Sequence, residues 1–248
     1  MKIGIIGTGN IGSVLARKLT ATGHEVCVAN SRGVEGVRAL AEEIGATPVD
    51  TRGAVDGADV VILSIPFPSV AQLPKDLFEN VPADVTVIDT GNYYPGMRDP
   101  HIPEIDEGMT ESVWVSQQLG RPVTKAFNNI LAFSLSDLGR PAGSTGRLAI
   151  AIAGDSAEAK AVASRLVDEV GFDPVDAGGL EESWRQEPST PAYCCDWNAD
   201  ETRRALAAAK RGIAPAKRDR MMETYSKLGA NPTHADVIAL NRAENTAD

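Results

Sequence analysis

Basic residues are scarce in this chain. Its 248 residues carry 24 Lys and Arg against 34 Asp and Glu, for a formal charge of −10 and a pI of about 4.9. A surface of that sign repels phosphate backbones and anionic bilayers, so nucleic acid and membrane surfaces are not expected partners. Histidine occurs three times, at His24, His101 and His234, with no metal-ligating spacing, and no metal is expected. Cysteine also occurs three times, which excludes a disulfide framework. Cys27 reads as a small core residue. Cys194 and Cys195 are adjacent, a spacing that suits neither tetrahedral zinc nor an unstrained disulfide and leaves a redox role as the minor alternative. No run approaches the ~20 apolar residues of a membrane-spanning helix. The first strand begins at once, without a leader pattern, so the cytoplasm is the expected location.

What the chain does have begins at residue 2. Residues 2–6 are an apolar strand that runs straight into Gly7-Thr8-Gly9-Asn10-Ile11-Gly12. Gly7 permits a tight turn, Gly9 lets the backbone approach a pyrophosphate, and Gly12 lets the next helix pack on the sheet. The pyrophosphate would rest on the amides of a helix opening near Asn10. That helix carries Val14, Leu15 and Leu19 on one face, stops at Gly23, and is followed by a strand at 25–29. A complete βαβ unit makes the glycine pattern meaningful. At the end of the second strand, where NAD proteins place an acid on the ribose hydroxyls, stands Asn30-Ser31-Arg32. An amide, a hydroxyl and a guanidinium suit a 2′-phosphate, so NADP(H) is the expected cofactor.

Further apolar runs at 59–65, 84–89, 122–127 and 147–153 read as strands buried on both faces, with a last edge strand at 172–175. Helices are predicted at 34–44, 70–78, 110–119, 129–138 and 157–170. The alternation implies an α/β, Rossmann-type, doubly wound and mostly parallel sheet with a C-terminal helical extension. The division is an NADP-binding domain at 1–178 and a helical region at 179–248, a lid or a dimer contact. In that region Asn198 with Glu201, and Thr233 with Asp236, have capping spacing. Helices are expected from Asn198 to a stop at Gly212, from Pro215 to Leu228, and from Thr233 onward. Leu206, Met221, Met222 and Leu228 need cover, and a second copy of the chain is the expected partner.

Ligands of open α/β sheets bind beyond the carboxyl ends of the strands. Those ends present Gly7–Asn10, Asn30–Arg32, Ser64-Ile65-Pro66, Thr90-Gly91-Asn92 and Ala126-Phe127-Asn128. Ser64, Ile65 and Pro66 form the expected nicotinamide shelf, with Phe67 as an apolar wall. Asn92, Phe127 and Asn128 line the acceptor side. Tyr93 and Tyr94, in the long loop at 92–109, either face a planar substrate or pack the loop down. Lys125 with Asn128 suggests an acid–base pair, although strand alternation can turn Lys125 away. No Ser–His–Asp or Cys–His arrangement can be argued, so no catalytic residue is assigned.

Gly7 to Gly12, Asn30-Ser31-Arg32, Ser64-Ile65-Pro66 and Lys125-Ala126-Phe127-Asn128 together resemble the NADPH-dependent reductases of the 8-hydroxy-5-deazaflavin coenzyme F-420. The cytosolic oxidoreductase domain of six-transmembrane ferric reductases is similar. The resemblance spans about residues 1–178. It implies that Ser31 and Arg32 hold the 2′-phosphate, that hydride passes to a flat acceptor such as coenzyme F-420 or a flavin, and that the protein dimerises. The region after about residue 193 is longer than the archaeal enzymes need, and the Asn128-Asn129 segment differs from theirs. Two other readings stay open: reduction of an imine or a β-hydroxyacid, with a proton from Lys125 or the C-terminal helices, and a non-enzymatic NADP-sensing module.

Overall fold

Three isoleucines in residues 2–6 favour extended backbone. In the computed structural model, which describes residues 1–247, they form β1 (Lys2–Ile6). The first half of the chain continues with α1 (Asn10–Ala21), β2 (Glu25–Ala29) and α2 (Gly33–Ile44). Next come a two-residue strand, β3 (Thr47–Pro48), α3 (Thr51–Val55) and β4 (Val60–Leu63). A 3-10 turn at Phe67–Gln72 leads to β5 (Thr86–Asp89), α4 (Pro103–Asp106), α5 (Glu111–Leu119) and β6 (Thr124–Lys125). The chain then forms α6 (Ala132–Asp137), β7 (Ala149–Ile152), α7 (Ala157–Glu169) and β8 (Asp173–Asp176). A second 3-10 turn at Leu180–Gln186 precedes α8 (Ala199–Ala208), α9 (Ala214–Arg218), α10 (Met221–Ser226) and α11 (His234–Glu244).

Six strands lie in the order β3-β2-β1-β4-β5-β6, and every pair is parallel. This is the Rossmann order, which reverses direction between β1 and β4 and opens a crevice beyond their carboxyl ends. Both faces are covered. Val60 and Ile62 join one core with Ile3, Ile5 and Leu15, while Val61 and Leu63 join another with Phe67 and Trp114. Alternate residues of one strand thus feed two cores, as a buried parallel strand requires.

Several expected elements are corrected. The predicted helix at 70–78 is only the 3-10 turn, because Pro74 lacks the amide needed to continue. The strand expected at 122–127 shrinks to two paired residues, and the helix at 129–138 starts at Ala132. The strands β7 and β8 do not extend the main sheet in parallel. They pair with each other, and β7 meets β6 through an antiparallel bridge of two hydrogen bonds between Lys125 and Ala153, 2.8 and 3.0 Å. The elements β3, α3 and α4 were not foreseen, being too short to show a period. Both C-terminal capping boxes form as read. However, α8 ends at Ala208 rather than Gly212, and the single helix expected from Pro215 breaks into α9 and α10. Leu206 is covered within the chain, packed against Ala149, Ala151 and Val175.

Candidate functional site

The glycine turn is tight at two of its three glycines and open at the third. Gly7 has φ +106°, and a Cβ there would stand 2.1 Å from the Ser64 carbonyl oxygen. A Cβ on Gly12 would stand 2.0 Å from the Gly7 carbonyl oxygen, so α1 seats on the turn only without a side chain. Around Gly9 nothing lies within 4 Å of a Cβ position. No side chain caps α1 and no acid occupies its first turn. Thr8, Asn10 and Ile11 flank this uncapped end, Asn10 exposed and the other two half-buried. The residues present fit a pyrophosphate: open space over glycine, with amides carrying the positive end of a helix dipole.

Across the sheet, Asn30 organises the second segment. Its Oδ1 accepts the Arg32 amide at 2.8 Å, and its Nδ2 donates to Thr8 Oγ1 at 3.2 Å and to the Gly36 carbonyl at 3.1 Å. Ser31 and Arg32 are exposed, and Arg32 Nη2 donates to the same Gly36 carbonyl at 3.3 Å. The acid nearest in sequence, Glu35, is occupied by Arg38 through a 2.9 Å bond and a second, shorter contact. A guanidinium and a hydroxyl therefore face solvent beside the glycine turn.

The shelf is partly as expected. Ser64 and Ile65 are half-buried and Pro66 is exposed, in extended conformation at φ −52°, ψ 136°. Phe67 is not a wall of the crevice. It is buried and stacks on Trp114, 5.2 Å between centroids at 24°, with Tyr93 5.6 Å away. Phe127 is corrected in the same way: its side chain is fully buried in the core around Leu15, and its φ of +62° turns the backbone there.

Asn92 and Asn128 meet, but as a sealed joint. Asn128 Nδ2 donates to Asn92 Oδ1 at 3.0 Å and to the Gln186 carbonyl at 2.7 Å. Its Oδ1 accepts Gln186 Nε2 at 2.9 Å, while Asn92 Nδ2 returns to the Asn128 carbonyl at 3.0 Å. Asn128 is 2% exposed, which makes it a brace beneath the crevice instead of an open contact. Gln186 was not anticipated, since nothing local in its sequence marks it.

Lys125 points away from solvent altogether. Its Nζ donates to the Gly91 carbonyl and to Ser112 Oγ, both at 3.0 Å, with Asp89 at 3.6 Å and Glu111 at 3.5 Å. Burial works to lower the pKa of this fully enclosed ammonium, but Asp89, Glu111 and Glu187 outweigh that and leave it raised. Glu111 moves the opposite way from a normal carboxylate: burial, then repulsion from Glu187, raises its pKa well above the ordinary 4.5. Asp89 Oδ1 also accepts the Gly91 amide at 2.8 Å, so the cluster grips both backbone groups of one residue at the crevice floor. Tyr93 packs the long loop down, its hydroxyl bonding Asp106 and the Ile102 amide, and burial raises its pKa to about 12. Tyr94 meets Tyr193 hydroxyl to hydroxyl.

Elsewhere, Ser134, His234 and Asp196 come together, which the sequence did not suggest. Asp196 Oδ2 takes both the Ser134 hydroxyl, at 2.9 Å, and His234 Nε2, at 2.8 Å. One ring nitrogen faces both partners and Ser134 is fully buried, so this is a clasp for α11 and not a nucleophile relay. All three cysteines are free and buried, and burial raises Cys195 to about 12, the wrong direction for a reactive thiolate. A cavity of about 180 Å³ lies among α9, α10 and α11, where Tyr225 and Asn241 already bond each other. Among the described residues no group of His, Cys, Asp and Glu is arranged to hold a metal ion, and no helix is long and apolar enough to cross a membrane.

The parallel sheet, the strand order and the glycine turn define a Rossmann dinucleotide-binding protein. A sequence model of the family described as NADP oxidoreductase, coenzyme F420-dependent, matches residues 2–93. The Escherichia coli K12 protein known as YjhV is 50% identical over 105 residues, 42% of this chain and 77% of YjhV. The crystal structure of hypothetical protein SMa0349 from Sinorhizobium meliloti superposes with a TM-score of 0.62 at 32% identity, over 74% of this chain and 88% of that one. An Arthrobacter sp. FB24 protein provisionally named an F420-dependent NADP-reductase shares the fold, with a TM-score of 0.58 at 22% identity over 73% of this chain and 86% of that one. The chain belongs to the NADP oxidoreductase, coenzyme F420-dependent family, and it is an NADP-dependent oxidoreductase.

Proposed function

We propose that the protein carries hydride between NADPH and a flat conjugated acceptor, a deazaflavin or a flavin-like molecule. The observation that carries this reading is the character of the crevice floor. Its polar side chains are amides, Asn92, Asn128 and Gln186, with the Arg98 guanidinium, a poor proton donor, on the Asn92 carbonyl. The lysine and carboxylates, Lys125, Asp89 and Glu111, are instead turned into a closed cluster behind Gly91. An imine or alcohol substrate wants a placed proton donor. A deazaflavin takes hydride at a ring carbon and a flavin at a ring nitrogen, and the proton that completes either reduction can come from water at an exposed ring edge, so alignment and exclusion of water from the transfer site matter most.

In this reading Gly7, Thr8, Gly9, Asn10 and Ile11 receive the pyrophosphate, and Ser31 and Arg32 the 2′-phosphate. The backbone of Ser64, Ile65 and Pro66 supports the nicotinamide, which supplies the hydride when bound. Asn92 and Asn128 keep that floor rigid. The test mixes purified protein, NADPH and the oxidised deazaflavin coenzyme and follows loss of the coenzyme's visible absorbance, with free flavins and ferric chelates alongside. Bleaching of a ring acceptor supports the reading. NADPH that binds yet reduces none of them overturns it.

A further inference from the structure

Gly36 is the second of two glycines in the first turn of α2, after Gly33 at its start, and stands at a position where a glycine costs helix stability. Its φ is not in the left-handed region, so conformation does not require it. Space does. A Cβ on Gly36 would stand 2.4 Å from Arg32 Cβ, 2.9 Å from Asn30 Oδ1 and 3.4 Å from Arg32 Nε. The first two of these are closer than real side chains approach, and the nearest atom belongs to the base of Arg32 and not to its mobile end.

The carbonyl of the same residue is where Asn30 Nδ2 and Arg32 Nη2 converge, at 3.1 and 3.3 Å. Arg32 thus folds back along the outer surface of α2, over a bare backbone, and its guanidinium is parked on a neutral carbonyl. Asn30 ties that arrangement to the glycine turn through Thr8. Among the described residues no carboxylate pairs with it, so the charge stays available to an anion while the side chain is already partly ordered. Pre-ordering of this kind reduces the entropy lost on binding.

We infer that Gly36 is a specificity-determining positioning residue: by leaving the space through which Arg32 folds back, it holds the guanidinium at the 2′-phosphate and so sets the preference for NADPH over NADH. The inference rests on the reading of Arg32 as the 2′-phosphate ligand. A methyl group at position 36 meets Arg32 Cβ first and Asn30 Oδ1 next, so it acts on the segment after β2, and no backbone atom of the glycine turn or the shelf is among the atoms nearest it.

The test is a double-mutant cycle in the full-length protein, with dissociation constants for NADPH and NADH in native protein, Gly36→Ala, Arg32→Ala and the double variant. Gly36→Ala should weaken NADPH by about tenfold, the effect of losing one charge-assisted contact, and leave NADH unchanged. In the Arg32→Ala background the clashing Cβ remains but the guanidinium is gone, so Gly36→Ala should no longer change the NADPH:NADH ratio. The contact with Arg32 Cβ costs stability that the helix propensity of alanine offsets only in part, so the melting temperature of each variant is measured alongside, and an unchanged NADH affinity separates the loss of NADPH from unfolding. An NADPH:NADH ratio unmoved by Gly36→Ala, or a loss of equal size in both backgrounds, overturns the inference while leaving Arg32 in place. A ratio unmoved by Arg32→Ala overturns the 2′-phosphate reading itself, and the role of Gly36 falls with it.

Discussion

Arg32 and Lys125 stand at the carboxyl ends of strands in one sheet, Arg32 just after β2 and Lys125 at the end of β6, yet they are opposite kinds of cation. Arg32 is exposed and rests on a backbone carbonyl. Lys125 is wholly buried and surrounded by Asp89, Glu111 and Ser112. At the β2 edge the neighbours are glycines and small polar residues. At the β6 edge α5 and the segment after β8 close over the strand end, and burial there is tolerable only with counter-charges. Among the described residues the fold leaves the Arg32 charge without a carboxylate partner. The same charge becomes a structural brace where the fold supplies three carboxylates.

The largest expected effect breaks the buried side. Lys125→Met leaves Asp89 without its cation and frees the Gly91 carbonyl, and should destabilise the protein by about 3–5 kcal/mol. Urea unfolding measures it, and an unshifted midpoint would mean that the cluster adds no net stability. Next comes the exposed side. Arg32→Ala should weaken NADPH by about ten- to a hundred-fold and leave NADH and the unfolding midpoint nearly unchanged. Equal loss for both cofactors would make Arg32 an ordinary surface residue.

A smaller effect is expected at Asn30, which links the glycine turn to the segment after β2. Asn30→Ala removes neutral hydrogen bonds to Thr8, Arg32 and Gly36, so NADPH should weaken by about three- to tenfold and NADH by less. Calorimetric titration of both cofactors checks the order. The smallest signal is a slope. Because Glu111 has a folded-state pKa raised above the usual 4.5, its contribution to stability is fully present below that value and is lost as pH rises toward the raised pKa. Glu111→Gln should therefore gain stability relative to native protein as pH increases from 4 upward. A difference between the two that stays flat with pH would place the proton elsewhere in the cluster.

Legibility followed the same divide. The glycine turn and Asn30-Ser31-Arg32 are contiguous in sequence and act largely through backbone and short side chains, so their geometry could be read from spacing. The floor of the crevice is assembled from Asn92, Asn128 and Gln186, and the brace from Asp89, Glu111, Lys125 and Glu187, residues separated by tens of positions. Phe67 and Phe127 follow strand ends that do reach the crevice. Their direction depends on packing against Trp114 and Leu15, to which local pattern is blind.

The sequence by itself determined the βαβ opening, the parallel strands buried on both faces, the two capping boxes near the C-terminus and the expected cofactor. Each of these is written in a local period or a fixed short spacing. Only the tertiary structure decided that β7 turns back to meet β6 antiparallel, that Lys125 is sealed behind Gly91, and that Gly36 leaves room for Arg32. Those outcomes depend on which distant surfaces close over a strand end and on clearances of an ångström or less, quantities fixed by packing in three dimensions.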